Sequence, residues 1–150
     1  VVVNGISYPL LLQNPTSNYL YVSLNDRHRD RENGGSLAVW VDFDLARSIV
    51  LVNGQYYLRP VLRPFCNSNF GEVEGRVLPA AAAAIVKVYN GTDTASAIPN
   101  PDGFFKVRGL NQGNYSVLID AITPYRDTTI SNVAVLTGRD TRIGTITLRQ

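Results

Sequence analysis

Two aspartates, Asp42 and Asp44, stand two positions apart, and this spacing places both carboxylates on one face of a β-strand. Such a pair can act as general acid and base or bind a metal ion. A structural interpretation also exists, because an Asp before Leu45 is a good helix N-cap and the other can pair with Arg47 or Arg59. We expect the structural roles and assign no catalysis to this pair.

The other reactive side chains lack the neighbouring groups that catalysis or metal binding requires. The single histidine, His28, lies among arginines in a charged loop, which is poor geometry for a general base. The single cysteine, Cys66, cannot form an internal disulfide and has no nearby histidine to activate it, so we expect a buried apolar role. Asn100 and Asp102 lack the acidic series of a calcium site. We predict no catalytic site, no cofactor and no metal.

Composition limits the class of protein. The 150 residues are 45% hydrophobic and 17% charged, with no run of 18 or more apolar residues, which indicates a globular chain that is neither membrane-spanning nor disordered. The 14 basic and 12 acidic residues are spread evenly, so no basic surface for nucleic acid is expected. Methionine is absent and no signal peptide is evident, so we expect a processed or excised chain.

The elements that must position these residues are almost all strands. In the first part we predict strands at 6–12, 19–24, 37–43, 49–52 and 55–58, an exposed charged loop at 25–36, and one short helix near 44–49. A polar linker follows at 66–71. In the second part we predict strands at 72–77, 84–89, 104–108, 115–121, 128–136 and 141–148, with the alanine run at 80–84 giving way to its neighbouring strands. This spacing predicts an all-β chain of two small units.

Residues 72–149 resemble the carboxypeptidase regulatory-like family, which has a transthyretin-like (prealbumin-like) fold. The opening strand is Glu74-Gly75-Arg76-Val77, the second strand contains Ala84-Ile85-Val86-Lys87-Val88, and the more specific motifs are Pro101-Asp102-Gly103-Phe104 and Gly109-Leu110-Asn111-Gln112-Gly113-Asn114-Tyr115. Asp-Gly favours a tight turn before an aromatic-anchored strand. Thr123-Pro124-Tyr125 departs from the family, which has a glycine before the aromatic. The resemblance implies a seven-stranded Greek-key sandwich over 72–150.

Residues 1–65 resemble the C-terminal half of a β-rich domain of bacterial surface lipoproteins, the domain of unknown function numbered 4382. The matching stretches are Val41-Asp42-Phe43-Asp44-Leu45-Ala46-Arg47-Ser48-Ile49-Val50 and Gly54-Gln55-Tyr56-Tyr57-Leu58-Arg59-Pro60-Val61. A regulatory-like domain often follows that family's domain, as it does here. The resemblance implies an extracellular location at a bacterial cell surface.

Two kinds of covalent modification follow from these resemblances. Related surface domains form a Lys-Asn isopeptide bond, but the lysines here are Lys87 and Lys106 and the one well-placed acid is Asp120, so we do not favour it. The sequons at Asn90 and Asn114 match N-glycosylation acceptors. The resemblance to exported bacterial proteins implies O-linked glycosylation instead. Sites of the form Asp-Thr-small occur at Thr94 and Thr128. Chance matches to such short motifs are the alternative.

The first twelve residues are the candidate assembly site. Eight of them are large and apolar or aromatic: Val1, Val2, Val3, Ile6, Tyr8, Leu10, Leu11 and Leu12. Residues 1–65 match only the C-terminal half of the resembled domain, so the strands that would normally cover these residues have no counterpart here. We therefore expect an exposed edge and an apolar face. We predict that these residues pair with a neighbouring copy by strand addition and give a head-to-tail filament. The alternative is that they are ordinary strands of an excised chain.

The function that this reasoning predicts is a non-enzymatic, extracellular structural or adhesive surface protein that forms homo-oligomers. The alternative is a carbohydrate-binding accessory module, in which exposed aromatics such as Tyr56 and Tyr57 stack on sugar rings. Neither function involves nucleic acid or a membrane span in this chain.

Overall fold

The fold is known from a computed structural model, which describes residues 1–3, 5–13, 19–25, 30–31, 37–66, 68–91 and 93–150. Strands dominate the described residues, and the α-helix among them is one turn, Leu45–Ser48. The all-β class and the short helix near 44–49 are therefore confirmed. The predicted loop at 25–36, with His28, lies largely outside the described residues.

The first part of the chain forms small, separate sheets. Its elements are β1 (Val2–Val3), β2 (Ile6–Ser7), β3 (Leu10–Leu12), β4 (Asp30–Arg31), β5 (Leu37–Ala38), β6 (Trp40–Phe43), α1 (Leu45–Ser48), β7 (Ile49–Val52), β8 (Gln55–Leu58) and β9 (Leu62–Phe65). β7 and β8 form a hairpin around Asn53-Gly54, and β3 joins β8 in parallel, so the sheet order is β3-β8-β7. β6 pairs antiparallel with β9, and β1 with β2.

The second part is a two-sheet sandwich of seven strands, which is the number that the resemblance implied and one more than the sequence pattern predicted. Its strands are β10 (Gly71–Leu78), β11 (Ile85–Tyr89), β12 (Thr94–Ala97), β13 (Phe104–Leu110), β14 (Gly113–Asp120), β15 (Thr128–Val135) and β16 (Asp140–Thr147). One sheet has the order β13-β10-β16 and the other the order β12-β11-β14-β15. β10 is antiparallel to β13 and parallel to β16.

The main core lies between the two sheets of the sandwich. Strand alternation turns Val73 and Val77 of β10 inward and leaves Glu72, Glu74 and Arg76 on the outer face, which is the pattern predicted from the sequence. The facing sheet contributes buried side chains of β11, β14 and β15, among them the almost fully buried Tyr115. A smaller buried cluster of Phe65, Cys66 and Phe70 lies where the two parts meet, so Cys66 is buried as expected.

Four local predictions need correction. Residues 19–25 form no strand, because β propensity expresses packing against a neighbouring strand and these side chains are largely exposed. Asp30–Arg31 form a short strand paired with β5, inside the predicted loop. Ala80–Ala82 form one turn of 3-10 helix. β12 was missed, because its sequence Thr-Ala-Ser-Ala carries little hydrophobic signal.

Candidate functional site

The candidate assembly residues lie in a small hairpin followed by a strand. β1 and β2 pair antiparallel, and the amide of Tyr8 donates a 2.8 Å hydrogen bond to the carbonyl of Val1. Val1 and Val3 are half-buried, whereas Val2, Ile6 and Tyr8 are exposed. The structure therefore brings the predicted residues together at one end of the chain, paired among themselves and with β8.

The sheet β3-β8-β7 is apolar on both faces. Leu10, Tyr56 and Leu51 are cross-strand neighbours in one row, and the next row is Leu11, Tyr57 and Val50. Successive residues of a strand point to opposite faces, so each row lies on a different face. The side chains of Leu10, Leu11 and Leu12 remain 39%, 46% and 51% exposed. Packing within the chain therefore leaves apolar surface of this sheet in contact with solvent.

The outer edge of β3 is open among the described residues, where its ladder partner is β8. The amide of Gln13 donates to the carbonyl of Leu58 at 3.1 Å, so it faces β8. Backbone groups alternate in direction along a strand, so the amide of Leu11 also faces β8 and the amides of Leu10 and Leu12 face outward. Unpaired amides of this kind are a template for another strand.

The edges of the sandwich are closed to strand addition in two different ways. On one side, α1 packs against β12, and β9 packs against β13. On the other side, β15 and β16 each carry a β-bulge, at Asn132 with φ +60° and at Gly144 with φ +76°. Bulges twist an edge strand and interrupt its regular hydrogen bonds. Within the part of the chain that the structure describes, the β3 edge has neither kind of protection.

The two tyrosines predicted to stack on sugars do not share a surface. Tyr56 and Tyr57 are consecutive in β8, so their rings lie on opposite faces of the sheet. Both are half-buried, and the ring of Tyr56 contacts that of Tyr8 at a centroid distance of 5.3 Å. They form no common stacking platform.

The candidate glycosylation residues lie in four different settings. Thr94 is exposed in β12, and Asn114 is exposed in β14. Thr128 is half-buried at the start of β15. The side-chain oxygen of Asn90 accepts a 2.9 Å hydrogen bond from the amide of Asp93, and Thr92 of its sequon lies outside the described residues. Glycosylation at these four residues stays a prediction.

A cleft of about 590 Å³ lies between the β6–β9 pair and the outer face of the sheet β13-β10-β16. Trp40 forms part of its wall opposite Phe65 in the ladder, and 56% of the Trp40 side chain is exposed. The floor is polar and carries Glu72, Lys106 and Asp140. Arg108, Arg139 and Asp42 complete the charged lining. Sequence reasoning missed this cleft, because its residues come from strands far apart in the chain.

Lys106 lies at the floor of the cleft and forms ion pairs with three carboxylates. Its ammonium lies 2.6 Å from Glu72, 3.3 Å from Glu74 and 3.2 Å from Asp140. Burial opposes its charge, yet the hydrogen bonds to Glu72 and Asp140 prevail and raise its pKa. The hydrogen bond from Arg142 lowers the pKa of Glu74, and the one from Lys106 lowers that of Asp140.

These charges bear on the isopeptide chemistry considered from the sequence. An isopeptide bond requires a neutral amine that attacks an acyl carbon, whereas Lys106 is held as an ammonium among carboxylates. Lys87 pairs with Asp120 at 2.5 Å, and both side chains are 41% exposed. Both described lysines are therefore held in ion pairs.

Asp42 and Asp44 have different environments. The side chain of Asp44 is the N-cap of α1, where it accepts the amide of Arg47 at 3.1 Å, so the predicted cap is present. Asp44 is only 3% exposed and also accepts the amide of Ser96 at 2.8 Å and the hydroxyl of Ser96. This aspartate thereby joins the first part of the chain to the sandwich.

The carboxylate of Asp42 lies in the cleft. Burial and the neighbouring charge of Asp44 raise its pKa, and Arg63 and Arg108 offset part of that effect. The arginines that act on it are therefore different from the predicted Arg47 and Arg59. Among the described residues the side chain of Asp42 makes no hydrogen bond or ion pair, and Asp42 lines the cleft.

Arg63 of β9 also connects the first part of the chain to the sandwich. Its guanidinium lies 2.7 Å from the carboxylate of Asp93 and donates to the carbonyls of Thr94 at 2.6 Å and Gly109 at 3.0 Å. Burial alone would raise the pKa of Asp93, but the charge and hydrogen bond of Arg63 lower it overall. Asp93 also accepts the hydroxyl of Tyr115 at 3.0 Å, so the network reaches the main core.

Among the residues that the structure describes, no three His, Cys, Asp or Glu side chains are grouped closely enough to hold a metal ion. In the same part of the chain, no helix has the length and apolar character needed to cross a membrane.

Comparison with known proteins gives distant structural matches. No family model and no curated protein matches the chain. A chain of the type II cohesin-X-dockerin complex of Acetivibrio cellulolyticus is 25% identical, with 52% of this chain and 56% of that chain covered and a TM-score of 0.42. The minor pilin GBS52 of Streptococcus agalactiae is 12% identical, with 79% of this chain and 57% of the pilin covered and a TM-score of 0.39. This chain therefore spans a little over half the length of each, and the two family resemblances stay predictions.

Proposed function

We propose that this protein is a non-enzymatic structural and adhesive module of the bacterial cell surface, and that its copies associate by β-strand addition at the open edge of β3. The observation that carries the proposal is the sheet β3-β8-β7, which is apolar on both faces and open at β3. Such a sheet gains ladder hydrogen bonds and buries apolar surface when another strand docks.

The energetics require the whole N-terminal surface to take part. Completing the burial of Leu10, Leu11 and Leu12 contributes roughly 2–5 kcal/mol, since each is about half exposed and a fully buried side chain contributes about 1.5–3 kcal/mol. Association costs about 4–15 kcal/mol in lost motional freedom. The three leucines alone therefore do not suffice, and Val2, Ile6 and the outward amides of β3 must also be covered.

The arrangement of edges favours contact between first parts of neighbouring copies. Strands β15 and β16 are bulged, and β12 and β13 are covered by α1 and β9. Among the described residues, a partner strand meets neither of these obstacles at β3. A head-to-tail contact between β3 and a different surface of the next copy propagates into a filament, whereas a symmetric β3–β3 contact stops at a dimer.

The proposal is tested by placing lysines on the β3 edge. We expect the unmodified chain to form larger species as its concentration rises, and Leu10→Lys with Leu12→Lys to weaken this association by at least about tenfold, because charges on an edge strand oppose pairing. Sedimentation velocity measures the species, and negative-stain electron microscopy shows whether they are filaments.

The matched control places the same two charges on an edge of the sandwich. Thr145 and Thr147 are exposed in β16, so Thr145→Lys with Thr147→Lys changes net charge equally without touching β3. We expect this variant to associate like the unmodified chain. A monomeric unmodified chain at every concentration, or equal loss of association in both variants, would refute strand addition at β3.

A further inference from the structure

The cleft beside Trp40 is balanced in charge. Three carboxylates, those of Asp42, Glu72 and Asp140, line it together with three cations, those of Lys106, Arg108 and Arg139. Lys106 contacts Glu72 and Asp140, and Arg108 lies 3.5 Å from Glu72. Because most of these charges are compensated within the protein, a strongly charged ligand gains little in this cleft. A neutral ligand with many hydrogen-bonding groups is favoured.

Trp40 supplies the apolar part of the cleft. An exposed indole beside fixed polar groups is unusual, since tryptophan is highly buried on average. Its position is set by the β6–β9 ladder, in which it lies opposite the buried Phe65. A flat aromatic face next to hydrogen-bonding groups suits a ring that carries C–H bonds on its face and hydroxyls around its rim.

Asp42 supplies an acceptor that the protein leaves available. Asp42 lines the cleft, and because the described residues contain no buried side-chain nitrogen or oxygen without a hydrogen-bond partner, its unpaired oxygens are accessible to solvent. The raised pKa of Asp42 agrees with a carboxylate held in a partly buried site without a direct ion pair. A hydroxyl group that donates to Asp42 would compensate its burial.

We propose that this cleft binds a neutral oligosaccharide, with one sugar ring stacked on Trp40, a hydroxyl donating to Asp42, and other hydroxyls accepting from Arg108 or Arg139. The cleft volume of about 590 Å³ lies within the range of roughly 300–1,000 Å³ that is typical of ligand sites. Glycan binding would give the adhesive role a target, but it does not require strand addition, because the cleft and the β3 edge share no residue.

The test uses the fact that Trp40 is the single tryptophan of the chain, so its fluorescence reports on this cleft alone. The full chain is titrated with cellohexaose, xylohexaose, mannohexaose and maltohexaose, after a glycan microarray that carries neutral and acidic glycans. We expect at least one neutral glycan to bind, to shift the emission of Trp40 and to protect the indole from acrylamide quenching. The variant with Leu10→Lys and Leu12→Lys is expected to bind equally, which separates this inference from the assembly proposal.

Two variants and a control locate the binding. Trp40→Ala is expected to lower affinity at least about tenfold in calorimetry, and Asp42→Asn, which keeps the fluorescent reporter, about fivefold. Tyr21→Ala removes an aromatic side chain that is 90% exposed outside the cleft, and it should change affinity by less than about twofold. Circular dichroism verifies that each variant is folded.

Three results would overturn the inference. The first is the absence of any neutral glycan that binds the folded chain. The second is binding confined to acidic glycans or to peptides, which would assign the cleft to a different partner. The third is unchanged affinity in folded Trp40→Ala and Asp42→Asn, which would place the glycan elsewhere on the surface.

Discussion

Asp42 destabilises the folded state at neutral pH. Burial and the charge of Asp44 raise its pKa above the ordinary value of 3.8, so the folded chain holds this proton more tightly than the unfolded chain. As pH rises through the folded pKa, the folded state must give up that proton and loses stability relative to the unfolded state. Asp93, whose pKa is lowered, has the opposite effect and stabilises the fold above its unfolded pKa.

We therefore predict that Asp42→Asn stabilises the protein at pH 7, by about 0.5–1 kcal/mol, because the amide removes a charge that burial and the repulsion from Asp44 both disfavour. At about pH 3, where the carboxyl is protonated in both states, the gain should disappear. Urea unfolding at the two pH values measures this. Lower stability of Asp42→Asn at pH 7 would show that its attraction to Arg63 and Arg108 outweighs the repulsion and burial.

At the scale of elements, a bulge in β13 makes room for β9. The register between β10 and β13 shifts near Gly109, where φ is +69°. A β-carbon at position 109 would lie 2.8 Å from the Cδ of Arg63 and 3.1 Å from the Cβ of Phe65. The bulge thus leaves space for Arg63, which pairs with Asp93 and donates to Thr94.

Gly109→Ala is predicted to destabilise the protein by about 2–4 kcal/mol, from backbone strain at positive φ and from the clash with Arg63. Gly91→Ala is the matched control, since φ is +88° there but nothing lies within 4 Å of the added carbon. It should cost only about 1 kcal/mol. Both values come from urea unfolding, and equal costs would mean that Arg63 moves aside freely.

At the scale of the whole molecule, the sandwich holds its own core. Every buried side chain of the main cluster lies between Val73 and Leu148. The smaller cluster joins Phe65 of the first part to Cys66 and Phe70 of the linker, and the first part adds polar contacts from Asp44 and Arg63. The predicted boundary at 66–71 therefore implies that the sandwich can fold without the first part.

A fragment of residues 69–150 is predicted to fold alone and cooperatively, with a cost of about 1–3 kcal/mol because Asp93 loses Arg63. Within this fragment, Asp93→Asn should recover part of that loss. Circular dichroism and calorimetry follow the unfolding. A fragment that stays unfolded would show that the two parts form one cooperative unit, contrary to the predicted boundary.

The sequence predicted the sandwich better than the first part, for physical reasons. Alternation along β10 and the turn residues around Gly103 are local signals that tertiary contacts reinforce. Tyr19–Leu24 has the same propensity but forms no strand among the described residues, because propensity requires a neighbouring strand. β12 was missed because small residues at an edge carry almost no pattern.

The candidate sites were predicted to different degrees. The apolar N-terminal residues were visible as a run in the sequence, and the N-cap of Asp44 follows from its position before α1. The cleft could not be predicted, since it depends on Trp40 of β6 meeting the floor of β10, β13 and β16. Likewise, Arg63 gave no local sign of its pairing with Asp93, 30 positions later in the sequence.

The parallel pairing of β10 with β16 has a mechanical consequence. Because these strands run in the same direction, the start of β10 and the end of β16 lie at opposite ends of the sandwich. Tension applied between those two points shears the ladder from Glu72–Asp140 to Leu78–Thr147, so its hydrogen bonds resist together instead of opening one after another. A tether that includes this sandwich would therefore transmit pulling forces without unravelling from one end.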